Sequence, residues 1–293
     1  MAQFVLQISI AGLAQGSLYA LTALGLVMIY NASTVVNFAH GAMGMAATYV
    51  AYVLIAELHV PLPLALLGAI VAAFILGVVV QTLLLGRLNN APILTQIVVT
   101  LGLFMFLQGI FGLVFGYNPR PMPPPIMIPP VIFSSGLVLR PQDIVQLALL
   151  IALGVALAVL FGATKLGLGM RAITENAYAA RLMGIPIGRV LGTAWGVGVL
   201  LAAVAAILAA PTTSVTPNMM DTIVVYGFIA AILGGFGSMI GAVVGGLILG
   251  VIVNLIDAFL APELVMSIVF GLLLVVLYVR PDGLFGRRIV QKV

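Results

Sequence analysis

The chain has no cysteine, which removes disulfides, thiol nucleophiles and thiolate metal sites. Charge is nearly as scarce. Asp, Glu, Lys and Arg make up 6% of the 293 residues, against roughly 25% in ordinary globular proteins. A water-soluble fold cannot be given a charged skin from that supply. Lysine occurs twice, at Lys165 and Lys292, and neither follows a GxxxxGK[ST] loop, so a phosphate cradle of that kind is excluded. There is also no HExxH helix, no GxSxG elbow and no carboxylate pair. Catalysis within the chain is therefore not expected, and no residue set calls for a metal or cofactor.

What the chain does have is apolar surface. Hydrophobic residues make up 63% of it, with a mean hydropathy of +1.32, so its solvent must be largely lipid. The net charge of +4 and pI near 9.6 could suggest a nucleic-acid partner. The cations instead fall in a few short loops, where the positive-inside rule puts them, so no nucleic acid is expected. The first thirty residues carry no Lys or Arg, unlike the n-region of a signal peptide, and similar apolar stretches recur throughout.

A spanning helix needs about 20 apolar residues. Candidate spans are Phe4–Tyr30, Gly41–Ala56, Pro61–Leu85, Ile93–Gly116, Asp143–Ala163, Val190–Ala210 and Leu264–Val279. Between the last two lies Thr222–Asp257, interrupted at Gly234-Gly235-Phe236-Gly237-Ser238, whose first piece reaches only about 18 Å. If this segment crosses twice or re-enters, then Arg87, the cluster Lys165, Arg171, Arg181 and Arg189, and the cluster Arg280, Arg287, Arg288 and Lys292 share one side. Arg120 and Arg140 then lie opposite. The positive-inside rule makes the crowded side cytoplasmic, with the N-terminus outside and the C-terminus inside. The expected fold is all-α: one transmembrane bundle over residues 1–293, with about eight to nine spanning or partly spanning helices and discontinuous segments.

The largest external connection, residues 117–142, holds eight of the sixteen prolines. Proline lacks an N–H and favours extended backbone, so a stiff crossing is expected, either a lid over helix ends or a docking surface. The GxxxG pairs Gly12/Gly16, Gly112/Gly116, Gly192/Gly196, Gly237/Gly241, Gly241/Gly245 and Gly246/Gly250 let helices approach closely in lipid.

Two interruptions could line a pathway. Asn37-Phe38-Ala39-His40-Gly41 carries polar groups and a permissive glycine between apolar helices. Gly234, Gly235, Gly237 and Ser238 form the second. Unwound backbone at membrane depth persists only where protein buries it or water lines it, and paired breaks in a transporter point to its route. Tight turns near the surface fit the same residues. The stretch Met170–Pro186 reads as a cytoplasmic helix: Arg171 and Glu175 are spaced i,i+4, and Gly184 and Pro186 form a stop. Ile173, Ala177, Ala180 and Met183 would pack on the bundle. The carboxylates fall near predicted helix ends, which counts against a proton- or sodium-driven carrier. Any uphill transport then draws energy from another subunit.

The run Gly16-Ser17-Leu18-Tyr19-Ala20-Leu21, Gly25, then Val36-Asn37-Phe38-Ala39-His40-Gly41 resembles the N-terminal signature of branched-chain amino-acid ABC permeases. Glu175-Asn176 with Ala179-Ala180-Arg181-Leu182-Met183-Gly184-Ile185 resembles that family's ATPase-coupling segment. Gly234–Ser238 with Gly241-Ala242-Val243-Val244-Gly245-Gly246 resembles its glycine motif. The length is that of the shorter of the family's two permease subunits. The resemblance implies a bacterial inner-membrane importer of branched-chain or other hydrophobic amino acids, related systems carrying urea, short amides or aromatic acids. Its partners would be two ABC ATPases, which bind the ATP, a second permease of a different paralogue, and a periplasmic binding protein. Arg171, Glu175, Asn176, Ala180, Arg181 and Gly184 would serve ATPase coupling in the cytoplasmic loop 165–189. Asn37, Phe38, Ala39 and His40 would lie along or beside the pathway. That pathway is expected to be mostly apolar, with no salt-bridge pair for an amino acid's ammonium and carboxylate. A channel or permease for urea, short amides or another small neutral solute is the alternative.

Overall fold

A computed structural model describes residues 1–88, 91–126, 128–132 and 137–286. Asn90, Arg287, Arg288 and Lys292 lie outside the described residues. The described chain is helical apart from its connections: α1 (Ala2–Ser33), α2 (His40–Ala56), α3 (Leu62–Leu83), α4 (Ile93–Phe115), α5 (Pro141–Ala163), α6 (Lys165–Leu182), α7 (Ile187–Thr213), α8 (Asp221–Gly234), α9 (Met239–Phe259) and α10 (Pro262–Val279). Among the described residues seven helices are long and apolar enough to cross a membrane, while α2 and α8 are shorter apolar helices. This is a polytopic all-α membrane protein.

Burial orders the bundle. In α1 89% of the most apolar window is buried, in α4, α5 and α10 only 17%, so α1 and α7 form the axis and the other three the rim. Large apolar side chains such as Leu94, Met105, Leu113, Ile151 and Leu274 stand exposed on that rim, as a lipid solvent permits.

Small residues set the central crossings, because in lipid no hydrophobic drive pulls helices together and close van der Waals contact must replace it. Gly12 and Gly16 on α1 lie against Gly246 and Gly250 on α9. A Cβ added at Gly12 would meet Val251 Cα at 2.8 Å, and one at Gly16 the Gly246 carbonyl at 2.7 Å. On α3 the buried stripe Ala65, Ala69, Ala73 and Gly77 repeats every fourth residue and faces α7; a Cβ on Gly77 would come within 2.5 Å of the Trp195 carbonyl. Gly44 of α2 rests on Ala202 of α7 in the same way.

The other expected pairs do different work. Gly112 is covered by the Tyr117 ring, and Gly196 by Phe74. Gly241 and Gly245 pack on Gly234 and Ala230, closing the tight α8–α9 hairpin.

Two faces of the bundle follow from the contacts. At the amino face, Gln7 pairs with the Val138 backbone in both directions (2.8 and 3.0 Å), Arg120 and Val215 form an antiparallel bridge, and Phe4 meets Phe259 edge-on. At the carboxy face, Thr174 donates to Asn31, and the backbone N–H groups of Leu284 and Phe285 donate to the carbonyls of Leu233 and Gly234. The described residues of the proline-dense connection form no helix before α5 begins. It carries one small antiparallel pair, β1 (Val131–Ile132) with β2 (Val138–Leu139), and is pinned by Arg120, whose guanidinium lies over Tyr52 and Phe115.

Candidate functional site

The Asn37–Gly41 motif is packed deep in the bundle. Thr34 takes a left-handed turn to end α1, and the chain then climbs back into the interior before α2 begins. Asn37 Oδ1 accepts from the Ala39 N–H at 3.0 Å, a local Asx turn that occupies the backbone before the helix starts. Ala39 and His40 have no exposed surface, and Asn37 has 1%. The His40 ring fills the space over Gly25 of α1, where a Cβ would lie 2.6 Å from the ring and 2.7 Å from the Gly198 carbonyl of α7. Its nitrogens lie near the Thr22 backbone without reaching hydrogen-bond geometry. His40 therefore begins a helix midway along α1 and α7, and α2 runs from there to the amino face.

A second helix also begins inside. From its turn with α9, α8 extends 14 residues, about 21 Å, while α9 extends 21 residues, about 32 Å. The irregular segment Ser214–Met220 makes up the difference. The N-terminal turns of α2 and α8 touch: a Cβ on Gly41 would meet Met220 Cβ at 3.2 Å and would run into Val224. Asp221, at the start of α8, accepts from Gln108 of α4 at 2.7 Å, so this carboxylate is tied into the bundle rather than free at a helix end.

The glycine motif sits elsewhere. Gly234–Ser238 is the α8–α9 turn at the carboxy face, and Ser238 caps α9 by accepting from the Gly241 N–H at 3.0 Å. Gly235 has φ +99°, which favours glycine, and a Cβ there would also strike the 282–286 segment. Thus Asn37, Phe38, Ala39, His40 and Gly41 gather at mid-depth, while Gly234 and Gly235 seat residues 283–286, and Gly237 and Ser238 complete the same turn. An aromatic row connects the two groups: Phe38 stacks on Phe228 at 5.3 Å, Phe228 on Phe236 at 6.5 Å, and Tyr30 meets Phe236 edge-on at 4.9 Å.

The cytoplasmic-helix expectation needs correction in its shape. α6 is broken at Asn176 (φ −156°, ψ 98°), and the Asn176 side chain then caps the following turn by accepting from the Ala179 N–H at 2.9 Å. The stop is as expected: Gly184 at φ +78° lets its own N–H reach the Arg181 carbonyl and that of Ile185 reach Ala180, a Schellman closure. Because of the break, the buried face is Met170, Ile173 and Ala180, whereas Ala177 and Met183 point away from the bundle. Tyr178, Leu182 and Met183 are 73%, 73% and 83% exposed, beside exposed Glu175 and Arg181. Arg171 is set apart from them, lining a cavity of about 790 Å³ with Phe236, Gly237 and Asp282. Tyr178 joins this exposed group without any place among the expected coupling residues; its signal in the sequence is a large aromatic side chain in a strongly polar helix.

A contact chain links these parts. Thr174 donates to the Asn31 carbonyl at 2.7 Å, and Asn31 Nδ2 donates to the Gly237 carbonyl at 3.4 Å. α6 is thereby bonded to the end of α1, and the end of α1 to the glycine turn.

The amino face holds a charged pair that the expected apolar pathway did not include. The pair lines a cavity there, with Arg140 Nε 3.1 Å from Asp143 Oδ2. In the sequence Asp143 reads as a helix-end charge; the fold leaves it 6% exposed in a cavity walled by four other helices as well as its own.

A bundle with two helices starting inside it and a small charged cavity at one face belongs to the class of membrane transport proteins built on discontinuous helices. The family described as branched-chain amino acid transport system / permease component matches residues 8–277, and the chain belongs to that family. It is 32% identical to the high-affinity branched-chain amino acid transport system permease protein LivH of Escherichia coli (strain K12), over 99% of this chain and 98% of the relative. It is 31% identical to LivH of Salmonella typhimurium over the same shares. It is also 30% identical to BraD, the corresponding permease protein of Pseudomonas aeruginosa, over 98% of each. No solved structure matches.

Proposed function

We propose that this chain is the membrane-spanning subunit of a bacterial inner-membrane ABC importer for branched-chain or similar hydrophobic amino acids. It pairs with a second, paralogous permease, two ATPases and an external binding protein. The observation that carries this reading is the near full-length similarity to permeases whose names specify branched-chain amino acid transport. The cation distribution supports an external amino face and a cytoplasmic carboxy face, since Arg120 and Arg140 lie toward the former and Arg87, Lys165, Arg171, Arg181, Arg189 and Arg280 toward the latter.

The ATPases would grip the kinked end of α6. Exposed Tyr178, Leu182 and Met183 supply apolar anchors, with Glu175 and Arg181 as charged flanks, the composition of a docking knob. ATP-driven closure of the ATPases then pulls α6, and through Thr174, Asn31 and Gly237 the pull reaches Phe236, Phe228 and Phe38. The interior helix starts at His40 and Asp221 are where the packed plug would open, and Asn37, Phe38, Ala39, His40 and Gly41 would line or flank the route.

The test is uptake by the reconstituted complex. Leu182→Asp and Arg181→Glu are expected to weaken ATPase retention and abolish uptake while the subunit remains folded. Wild-type uptake by both variants would refute the docking assignment.

A further inference from the structure

The cavity holding Arg140 and Asp143 has a volume of about 540 Å³ and is walled by α1, α5, α7, α8 and α9. Ligand pockets for small molecules run from about 300 to 1,000 Å³. Its lining is chemically mixed: the ion pair with Gln15, Gln146 and Asn254, and the apolar Leu18, Met219 and Ile223. Several of the polar groups are held by hydrogen bonds. Gln142 and Gln146 both donate to the Leu208 carbonyl, at 2.9 and 3.4 Å, near Pro211, which interrupts the last turns of α7. Asn254 donates to Gln15 at 3.3 Å.

The two charges differ in freedom. The Asp143 side chain is 9% exposed and held, whereas that of Arg140 is 58% exposed and able to swing away.

We propose that this cavity is a transit site for a zwitterionic amino acid within the permease itself. Arg140 takes the ligand's carboxylate, Asp143 its ammonium group, and the wall formed by Leu18, Met219 and Ile223 receives an aliphatic side chain. A free amino acid carries one charge of each sign on a single carbon, so it replaces each partner of the ion pair with a group of like charge. Both protein charges stay matched whether the site is empty or filled, which avoids leaving a buried charge unpaired. A planar guanidinium suits a carboxylate, and its hydrogen bonds to an ionised acceptor are the strong kind. An anion or a cation alone would leave one member of the pair without a partner, so the site selects against monocharged solutes. This inference rests on the proposed transport function and specifies where the cargo enters the subunit.

The native chain has no cysteine, so a single introduced thiol reports cleanly. Thr222→Cys places one in the cavity wall of the complete importer, where a membrane-impermeant maleimide added outside can reach it. Millimolar L-leucine is expected to slow labelling several-fold. Isocaproate, which lacks the ammonium, and isoamylamine, which lacks the carboxylate, are expected to give no protection. Adding Arg140→Gln or Asp143→Asn should raise the leucine concentration for half-protection by about tenfold or more, the weight of one charge-assisted hydrogen bond. Arg140→Lys and Asp143→Glu keep the charges and guard against misassembly; they should shift half-protection less while retaining it. Absent protection in an importer that transports leucine, or unchanged half-protection in all four variants, would overturn the transit site and leave the transport function standing. Failure of the unmodified complex to transport any branched-chain amino acid would overturn the function instead.

Discussion

A side chain at Gly250 has nowhere to go. Its Cβ would overlap the Gly16 backbone and the Gly12 carbonyl, so a larger residue must push α1 and α9 apart along their whole crossing. Gly250→Leu is therefore expected to cost at least roughly 1–3 kcal/mol, read as a lowered Tm in detergent. Gly192→Ala is the control: its Cβ would meet Val78 at an ordinary 3.6 Å, and a change within about 0.5 kcal/mol is expected. Both glycines sit in GxxxG pairs, and the sequence cannot tell them apart. The spacing marks a small face, but what lies opposite it depends on which helices become neighbours. The same limit hid the Arg140–Asp143 site. An i,i+3 pair at a helix start is legible as charge, but burial of the aspartate depends on α1, α7, α8 and α9 converging on it from distant parts of the sequence on both sides.

Between residues and bundle lie the helices and their breaks. Helix positions were readable because each apolar run is long and bounded by Gly, Pro or a charged residue. The shape of α6 was not, because an asparagine inside an alanine-rich run reads as helix until its side chain is seen to cap the turn after it. Asn176→Ala removes that cap, at a typical cost of about 0.5–2 kcal/mol, and the segment carrying Tyr178 and Leu182 should fray. Lower retention of ATPase on purification is expected, with recovery in Asn176→Asp; equal retention in all three proteins would contradict the capping role. Thr174→Val tests the next link. Losing the 2.7 Å bond to Asn31 should leave ATPase binding intact but lower the amount of amino acid moved per ATP hydrolysed. The two interruptions were legible as breaks, though not their depths. Asn37–Gly41 lies midway through the bundle and Gly234–Ser238 at its edge, because α8 is short at its other end, where the irregular segment Ser214–Met220 replaces helix.

At the scale of the whole molecule, composition decided the most. A chain so poor in charge and so rich in apolar residues must lie in lipid, and the parity of its crossings followed from where eleven cations could sit. The structure makes the Thr222–Asp257 segment a hairpin: α8 starts inside the bundle, α9 runs back toward the amino face, and the chain after α10 meets the α8–α9 turn. On the proposed function, ATP hydrolysis and cargo capture fall to partner subunits. The most direct measurement is therefore uptake of radiolabelled leucine into proteoliposomes holding this chain alone, or with its paralogous permease, ATPases, external binding protein and ATP. Uptake is predicted only in the complete system and only with ATP hydrolysed. Leucine entry through the chain by itself, without ATP, would contradict the account.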